Sequence, residues 1–112
     1  MRRIYIAGPY SSDPEQNTRN AIDAADRIFS LGYYPYVPHF THFWHLQNPR
    51  PYEDWMRLDL EWLPLCDALV RLPGDSFGAD LECAKASLSK IPIYVGLDAF
   101  LARHEMARKV DP

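Results

Sequence analysis

The spacing of apolar positions changes repeatedly along the chain. Arg3 to Ala7 (RIYIA) is a β-branched and aromatic run that stops at Gly8-Pro9, which predicts a buried strand. In the SSDPEQ stretch that follows, Asp13 can cap a helix with Pro14 at its first position and Gln16 completing a capping box. Thr18, Ala21, Ile22, Ala25, Ile28 and Phe29 then recur at helical spacing, and Gly32 falls where a helix C′ residue belongs. Tyr33 to Pro38 (YYPYVP) reads as a second strand, and its prolines suit an edge. Residues 39–50 (HFTHFWHLQNPR) form an aromatic, histidine-rich connection with no clear period. Pro51 opens a helix expected to reach about Leu65, and Cys66 to Leu72 (CDALVRL) reads as a third strand. A glycine-containing loop then leads into a helix ending near Lys90. IPIYVG is a fourth strand, and Leu97 to Lys109 a last helix.

This alternation of strand and helix implies parallel strands joined by right-handed crossovers. The expected fold is α/β, a small open sandwich whose mostly parallel sheet has four to five strands. Ligands in such folds bind beyond the carboxyl ends of the strands. Three segments therefore converge on one crevice: AGPYSS, which contains Gly8 and Pro9, the region after Val37, and PGDSFGADLE.

Composition narrows the partners. At 112 residues the chain fits one domain, and 47% hydrophobic residues supply a core. A net charge of −3 argues against binding a nucleic-acid polymer, which needs a basic face, but leaves single nucleosides and nucleotides open. The N-terminal apolar run is too short for a signal-peptide core or a membrane span, so no membrane partner is expected. Cys66 and Cys83 are isolated in sequence, which fits a reduced, cytoplasmic protein.

Candidate chemistry lies in GDSFGADLECAKA. Gly74, Ser76 and Gly78 are spaced by single residues as in an anion-cradling loop, yet the helix behind them carries an acid, Glu82. An acid near a helix start is often only a solvated residue favoured by the helix dipole. Asp59 changes that reading. With Tyr52, Trp55, Met56, Trp62 and Leu63 it shares one helical face, so it is a carboxyl set in an apolar stripe. Such a group must be protonated or partnered, and its pKa rises. The structural alternative is a buried Asp bonded to a backbone amide or to Arg57 or Arg71. Two carboxyls in different environments suit glycosidic chemistry, in which one attacks the anomeric carbon and the other handles the proton.

His39, His42 and His45 form His-x-x-His-x-x-His without nearby Cys or carboxylate partners, so no metal is expected. We expect them to line the pocket mouth with Phe40, Phe43 and Trp44, whose rings can stack on a base; core packing beneath a long loop is the alternative. Neither Gly-x-Gly-x-x-Gly nor a Walker lysine is present, which disfavours dinucleotide and NTPase chemistry, and no cofactor is expected.

IYIAGPY, LDLEWLPLCDALVRLPG and DSFGADLECAKA, in this order, resemble the nucleoside 2-deoxyribosyltransferase superfamily, closest to its small phage and bacterial branch of unknown function. The likeness runs from Arg3 to about Val95 and extends to 2′-deoxynucleoside 5′-phosphate N-hydrolases. It implies a flavodoxin-like three-layer sandwich and cleavage of the N-glycosidic bond of (deoxy)nucleosides or their 5′-monophosphates, with Glu82 forming a covalent bond to the sugar. It further implies that Asp59 manages the leaving base and that Tyr5 orients the nucleophile. Ser76 falls where the transferases tend to have an Asp and the nucleotide hydrolases a phosphate-binding serine. Asp75 is a second candidate for the nucleophile's partner. Pro9 departs from the pattern, standing where the hydrolases have a phosphate ligand, and the chain stops soon after its fourth strand, where many relatives lend residues to a neighbouring subunit. A homodimer or larger homo-oligomer is expected. The alternative function is a non-catalytic nucleotide-binding or sensing domain of the same fold.

Overall fold

Four short strands form one sheet: β1 (Arg3–Ala7), β2 (Tyr34–Tyr36), β3 (Ala68–Arg71) and β4 (Ile93–Val95). The structure, a computed structural model, describes residues 2–110. Strand order is β2-β1-β3-β4 and every pairing is parallel, so the sheet expected to be mostly parallel is wholly so. Among the described residues, five helices connect and flank the strands: α1 (Pro14–Ser30), α2 (His42–Gln47), α3 (Tyr52–Trp62), α4 (Phe77–Leu88) and α5 (Leu97–Val110).

Side chains alternate across β1 and divide the core into two layers. Ile4 and Ile6, with Ala68 and Val70 of β3, pack against Ala21, Ala24, Ala25 and Ile28 of α1 and Phe100 and Leu101 of α5. On the opposite face Tyr5, Ala7 and Leu69 pack against Ala79 and Ala86 of α4 and Leu63 beyond α3. The result is the expected three-layer α/β architecture. Asp67 secures the start of β1, because its carboxylate accepts from the backbone N–H groups of Arg2 (2.7 Å) and Arg3 (2.9 Å). Those same bonds hold its pKa below the usual carboxylate range.

The local expectations for α1 hold in part. The Asp13 side chain caps the helix by accepting from Gln16 N–H. Gln16 does not complete the box; its amide donates to Asn20 instead. Gly32 adopts φ +96° just past the helix, the left-handed conformation that a C′ glycine supplies. Ala24 takes the place in the core expected for Ile22 and Phe29, which are 43% and 59% exposed. With only alanines, Thr18 and Ile28 buried, α1 sits close to the sheet and its larger apolar side chains fall outside the contact.

Two segments differ from the reading of the sequence. Residues 39–50, expected to be irregular, contain a 3-10 turn (Pro38–Thr41) and α2. Conversely, the helix after Pro51 ends at Trp62 and passes into a 3-10 turn (Leu63–Leu65), because Pro64 cannot continue it. Pro51 itself is the N-cap of α3 and not its first residue.

From β1 the chain runs outward to β2 and then crosses to β3 on the other side of β1. The order therefore reverses between β1 and β3, and a crevice opens where their following loops separate.

Candidate active site

Beyond β3 the chain turns at Gly74, whose φ is +113°. A Cβ there would stand 2.7 Å from Pro9 Cγ, so the loops after β1 and β3 touch at a point only glycine permits. Ser76 then caps α4, its hydroxyl accepting from Ala79 N–H at 3.1 Å. This start angle turns Glu82, in the second turn, onto the sheet side, where it is 5% exposed. The Tyr5 hydroxyl, from the middle of β1, donates to its carboxylate. Burial pushes the Glu82 carboxyl up to about 8, against the Tyr5 hydrogen bond, which lowers it; the charge of Asp59 raises it and that of Arg71 lowers it. Burial and the two carboxylates also drive the Tyr5 phenol far above its ordinary value, so Tyr5 remains a donor.

Asp59 approaches from α3 and is 7% exposed. The Tyr36 hydroxyl donates to its Oδ1 over a long 3.5 Å. Burial raises the Asp59 carboxyl to about 7, and the Tyr36 bond partly offsets this. The apolar stripe around Asp59 is divided between two environments. Tyr52, Trp55 and Met56 border a cleft together with Asp59. Trp62 stacks on Tyr36 at 5.9 Å, and Leu63 is wholly buried in the core.

The cleft holds about 700 Å³ and opens at the switch point. That volume lies within the usual range for small-molecule sites, roughly 300–1,000 Å³. Asp59 and Glu82 both line it, as do Gly8, His39, Asp75, Ser76 and Gly78. Pro9, Gly74 and Phe43 are placed differently. The Pro9 carbonyl accepts from His39 Nε2 (2.8 Å), and the Gly74 carbonyl from Arg71 (2.9 Å), so both act in the loop framework behind the cleft wall. Phe43 is 75% exposed with its ring against His42, outside the lining, because α2 turns it outward.

The three histidines are bound to protein groups. Buried His39 has its pKa lowered by desolvation. His42 Nδ1 pairs with the Tyr10 hydroxyl at 2.6 Å, and His45 Nδ1 accepts from Trp55 Nε1 at 2.9 Å. Because an indole N–H can only donate, His45 Nδ1 is unprotonated. Among the described residues, no group of three or more His, Cys, Asp or Glu side chains could hold a metal ion. No described helix is long and apolar enough to cross a membrane.

Several cleft residues escaped the reading of the sequence. Tyr10, which lines the cleft, carries no local signal beyond following β1, and Tyr36, which lies outside the lining but reaches Asp59, none beyond ending β2. Tyr52 was legible as part of the α3 face but not as a neighbour of α4. A Cβ on Gly78 would meet the Tyr52 hydroxyl at 2.8 Å, so this glycine lets α3 and α4 close on each other beside the carboxyls.

Residues 2–95 match a family described as "Domain of unknown function (DUF7768)". The chain belongs to that family. The solved structure of a 2-deoxyribosyltransferase from the psychrotolerant bacterium Bacillus psychrosaccharolyticus is similar to this DUF7768 domain with a TM-score of 0.60. The match covers 81% of this chain and 69% of that one at 19% identity, a likeness of fold. No curated protein matches the sequence.

The DUF7768 domain thus sets two buried carboxyls, from two helices, on one cleft of small-molecule size. Burial raises both carboxyls, Asp59 to about 7 and Glu82 to about 8, so either can keep its proton near neutrality. One carboxyl can then attack while the other donates, a division that acid–base chemistry at neutral pH requires.

Proposed function

We propose that this domain cleaves the N-glycosidic bond of (deoxy)nucleosides or their 5′-monophosphates and passes the sugar to another base or to water. The observation that carries the reading is the pair itself: Glu82 and Asp59, buried and half-protonated near neutrality, on one cleft. The shared fold with a 2-deoxyribosyltransferase, described as a biocatalyst for nucleoside synthesis, supports the same chemistry.

When the pair holds a single proton in the free protein, the slightly higher Glu82 value leaves it mainly on Glu82, so the reactive state is the one in which it has passed to Asp59 and the Tyr5 hydroxyl and Arg71 favour the Glu82 carboxylate. In the first step that Glu82 carboxylate oxygen bonds to C1′ as the C1′–N bond breaks, and Asp59 gives its proton to the departing base. In the second step Asp59, now a carboxylate, takes a proton from the acceptor base or from water. The acceptor attacks C1′, the sugar–Glu82 ester bond breaks, and both carboxyls return to their starting states. One hard displacement becomes two easier ones. Tyr5 steadies the Glu82 carboxylate, and Ser76 with the loop before α4 offers a hydroxyl and N–H groups to a sugar hydroxyl or phosphate.

The test is incubation with a panel of nucleosides and 5′-monophosphates, with and without a second base, followed by chromatography for free base. A 2-fluoro-2-deoxy-arabinosyl nucleoside should slow the second step and leave a sugar-sized mass increase on the peptide containing Glu82. Glu82→Ala and Glu82→Gln should abolish cleavage and largely keep ligand binding; Asp59→Asn should lose most activity, above all on poor leaving bases. Full activity of Glu82→Ala would end the covalent mechanism. Binding without cleavage by the wild type would favour the non-catalytic reading.

A further inference from the structure

Tyr5 and Tyr36 face each other across the β1–β2 pairing, and their rings stack at 5.3 Å with an interplanar angle of 25°. Trp62 also stacks on Tyr36, at 5.9 Å and 23°. The three rings form one column, and Tyr36 is its middle member. Each tyrosine hydroxyl ends on a different carboxyl: Tyr5 on Glu82 of α4, Tyr36 on Asp59 of α3. Trp62 lies on α3 itself, three residues beyond Asp59, so Tyr36 grips that helix at two points, through its ring and through its hydroxyl.

We propose that Tyr36 is a positioning residue for Asp59, the counterpart of Tyr5 for Glu82, and that the Tyr5–Tyr36–Trp62 column sets the two carboxyls relative to each other. The proposal rests on the glycosidic reading only for what the positioned carboxyls do; the tether itself is a property of the free protein.

The physical case follows from the edge. β2 is an edge strand of three residues and contains a proline, which makes it a poor anchor by backbone alone. A tyrosine there would turn freely if unsupported. Two parallel-offset ring contacts confine it, each contributing about 0.5–1.5 kcal/mol beyond area burial. A confined ring can aim its hydroxyl. The 3.5 Å separation is at the long end of hydrogen bonding, and catalytic hydrogen bonds often tighten in the transition state. The ionisable groups that act on or are acted on by Asp59 are Tyr5 from β1, Tyr36 from β2, Tyr52 from its own helix and Glu82 from α4. Of these, the Tyr36 hydroxyl supplies the hydrogen bond that favours the ionised form.

Tyr36→Phe tests this, since it keeps the ring column and removes only the hydroxyl. Carbon-13 titration of the side-chain carboxyls in the ligand-free protein should show the Asp59 midpoint moving to higher pH, with a smaller change at Glu82. Tyr5→Phe should give the reverse pattern. On nucleosides that need their base protonated, Tyr36→Phe should lose about tenfold or more in kcat. On a deoxyribosyl fluoride, whose leaving group needs no proton from Asp59, it should lose little, whereas Tyr5→Phe should be impaired on both. An unchanged Asp59 titration in a folded Tyr36→Phe variant would overturn the tether, whatever the protein acts on. Equal losses on both substrates would overturn the assignment to Asp59. Absence of any glycosidic cleavage by the wild type would remove the catalytic reading, and the titration alone would then decide the tether.

Discussion

At the residue scale, Asp59 and Glu82 lower the stability of the fold. Their carboxyls titrate at about 7 and about 8 in the folded chain, against about 3.9 and 4.3 for unfolded Asp and Glu. Between those values the folded state holds protons that the unfolded state has released. Stability from this source is therefore complete below about pH 4 and is lost as pH rises through 7 to 8. Amides have the carboxyl shape but never ionise. Asp59→Asn and Glu82→Gln should accordingly exceed the wild type in stability at pH 8, each on the order of 1 kcal/mol or more, and match it near pH 4. Thermal melts at both pH values would show it. Amide variants that melt below the wild type at pH 8 would mean that the carboxylates are stabilised by partners outweighing their desolvation.

At the element scale, two glycines bring segments together and should respond differently to a methyl group. Gly74 combines a left-handed φ with a Cβ position 2.7 Å from the rigid Pro9 ring. Gly74→Ala should destabilise the chain by about 1–3 kcal/mol and loosen the contact between the β1 and β3 loops. At Gly78 the obstacle is the Tyr52 hydroxyl, the tip of a side chain that can swing away. Alanine also favours the helix by up to about 1 kcal/mol over glycine. Gly78→Ala should therefore melt close to the wild type but bind nucleosides more weakly, because a displaced Tyr52 intrudes on the cleft. Melting curves paired with calorimetric titration separate the two cases. A large loss of Tm in Gly78→Ala would show that Tyr52 cannot yield.

At the scale of the whole molecule, the rim of the cleft is apolar and open. Phe77 and Leu46 border the cleft, Phe40 and Phe43 stand nearby in the chain, and all four are exposed. Exposed aromatic side chains in this density mark an interaction surface in a small protein. We expect self-association through this rim, which would close the cleft from outside. Sedimentation velocity at micromolar concentration should show a dimer or larger species, and Phe43→Ser with Phe77→Ser should shift it toward monomer. A wild type that sediments only as monomer would refute this.

Local patterns were enough for the alternating strands and helices, for the parallel sheet and for Asp59 as an acid out of place, since each is a statement about which side of an element avoids water. Resemblance of short motifs added only the roles expected of Glu82 and Tyr5. The α2 helix left no such trace, because six residues make fewer than two turns and cannot display a period. The partners of the cleft residues were equally invisible. Tyr36 meets Asp59 across 23 positions, and Tyr10 meets His42 across 32. Those meetings depend on strand order, on register and on the angle at which each helix leaves its cap, none of which a local pattern records. The stripe on α3 shows the division most plainly. Its sequence says that Asp59 and Trp62 share a face. Only the sheet edge beneath, with Tyr36 on it, decides that Trp62 faces a ring while Asp59 faces a cleft.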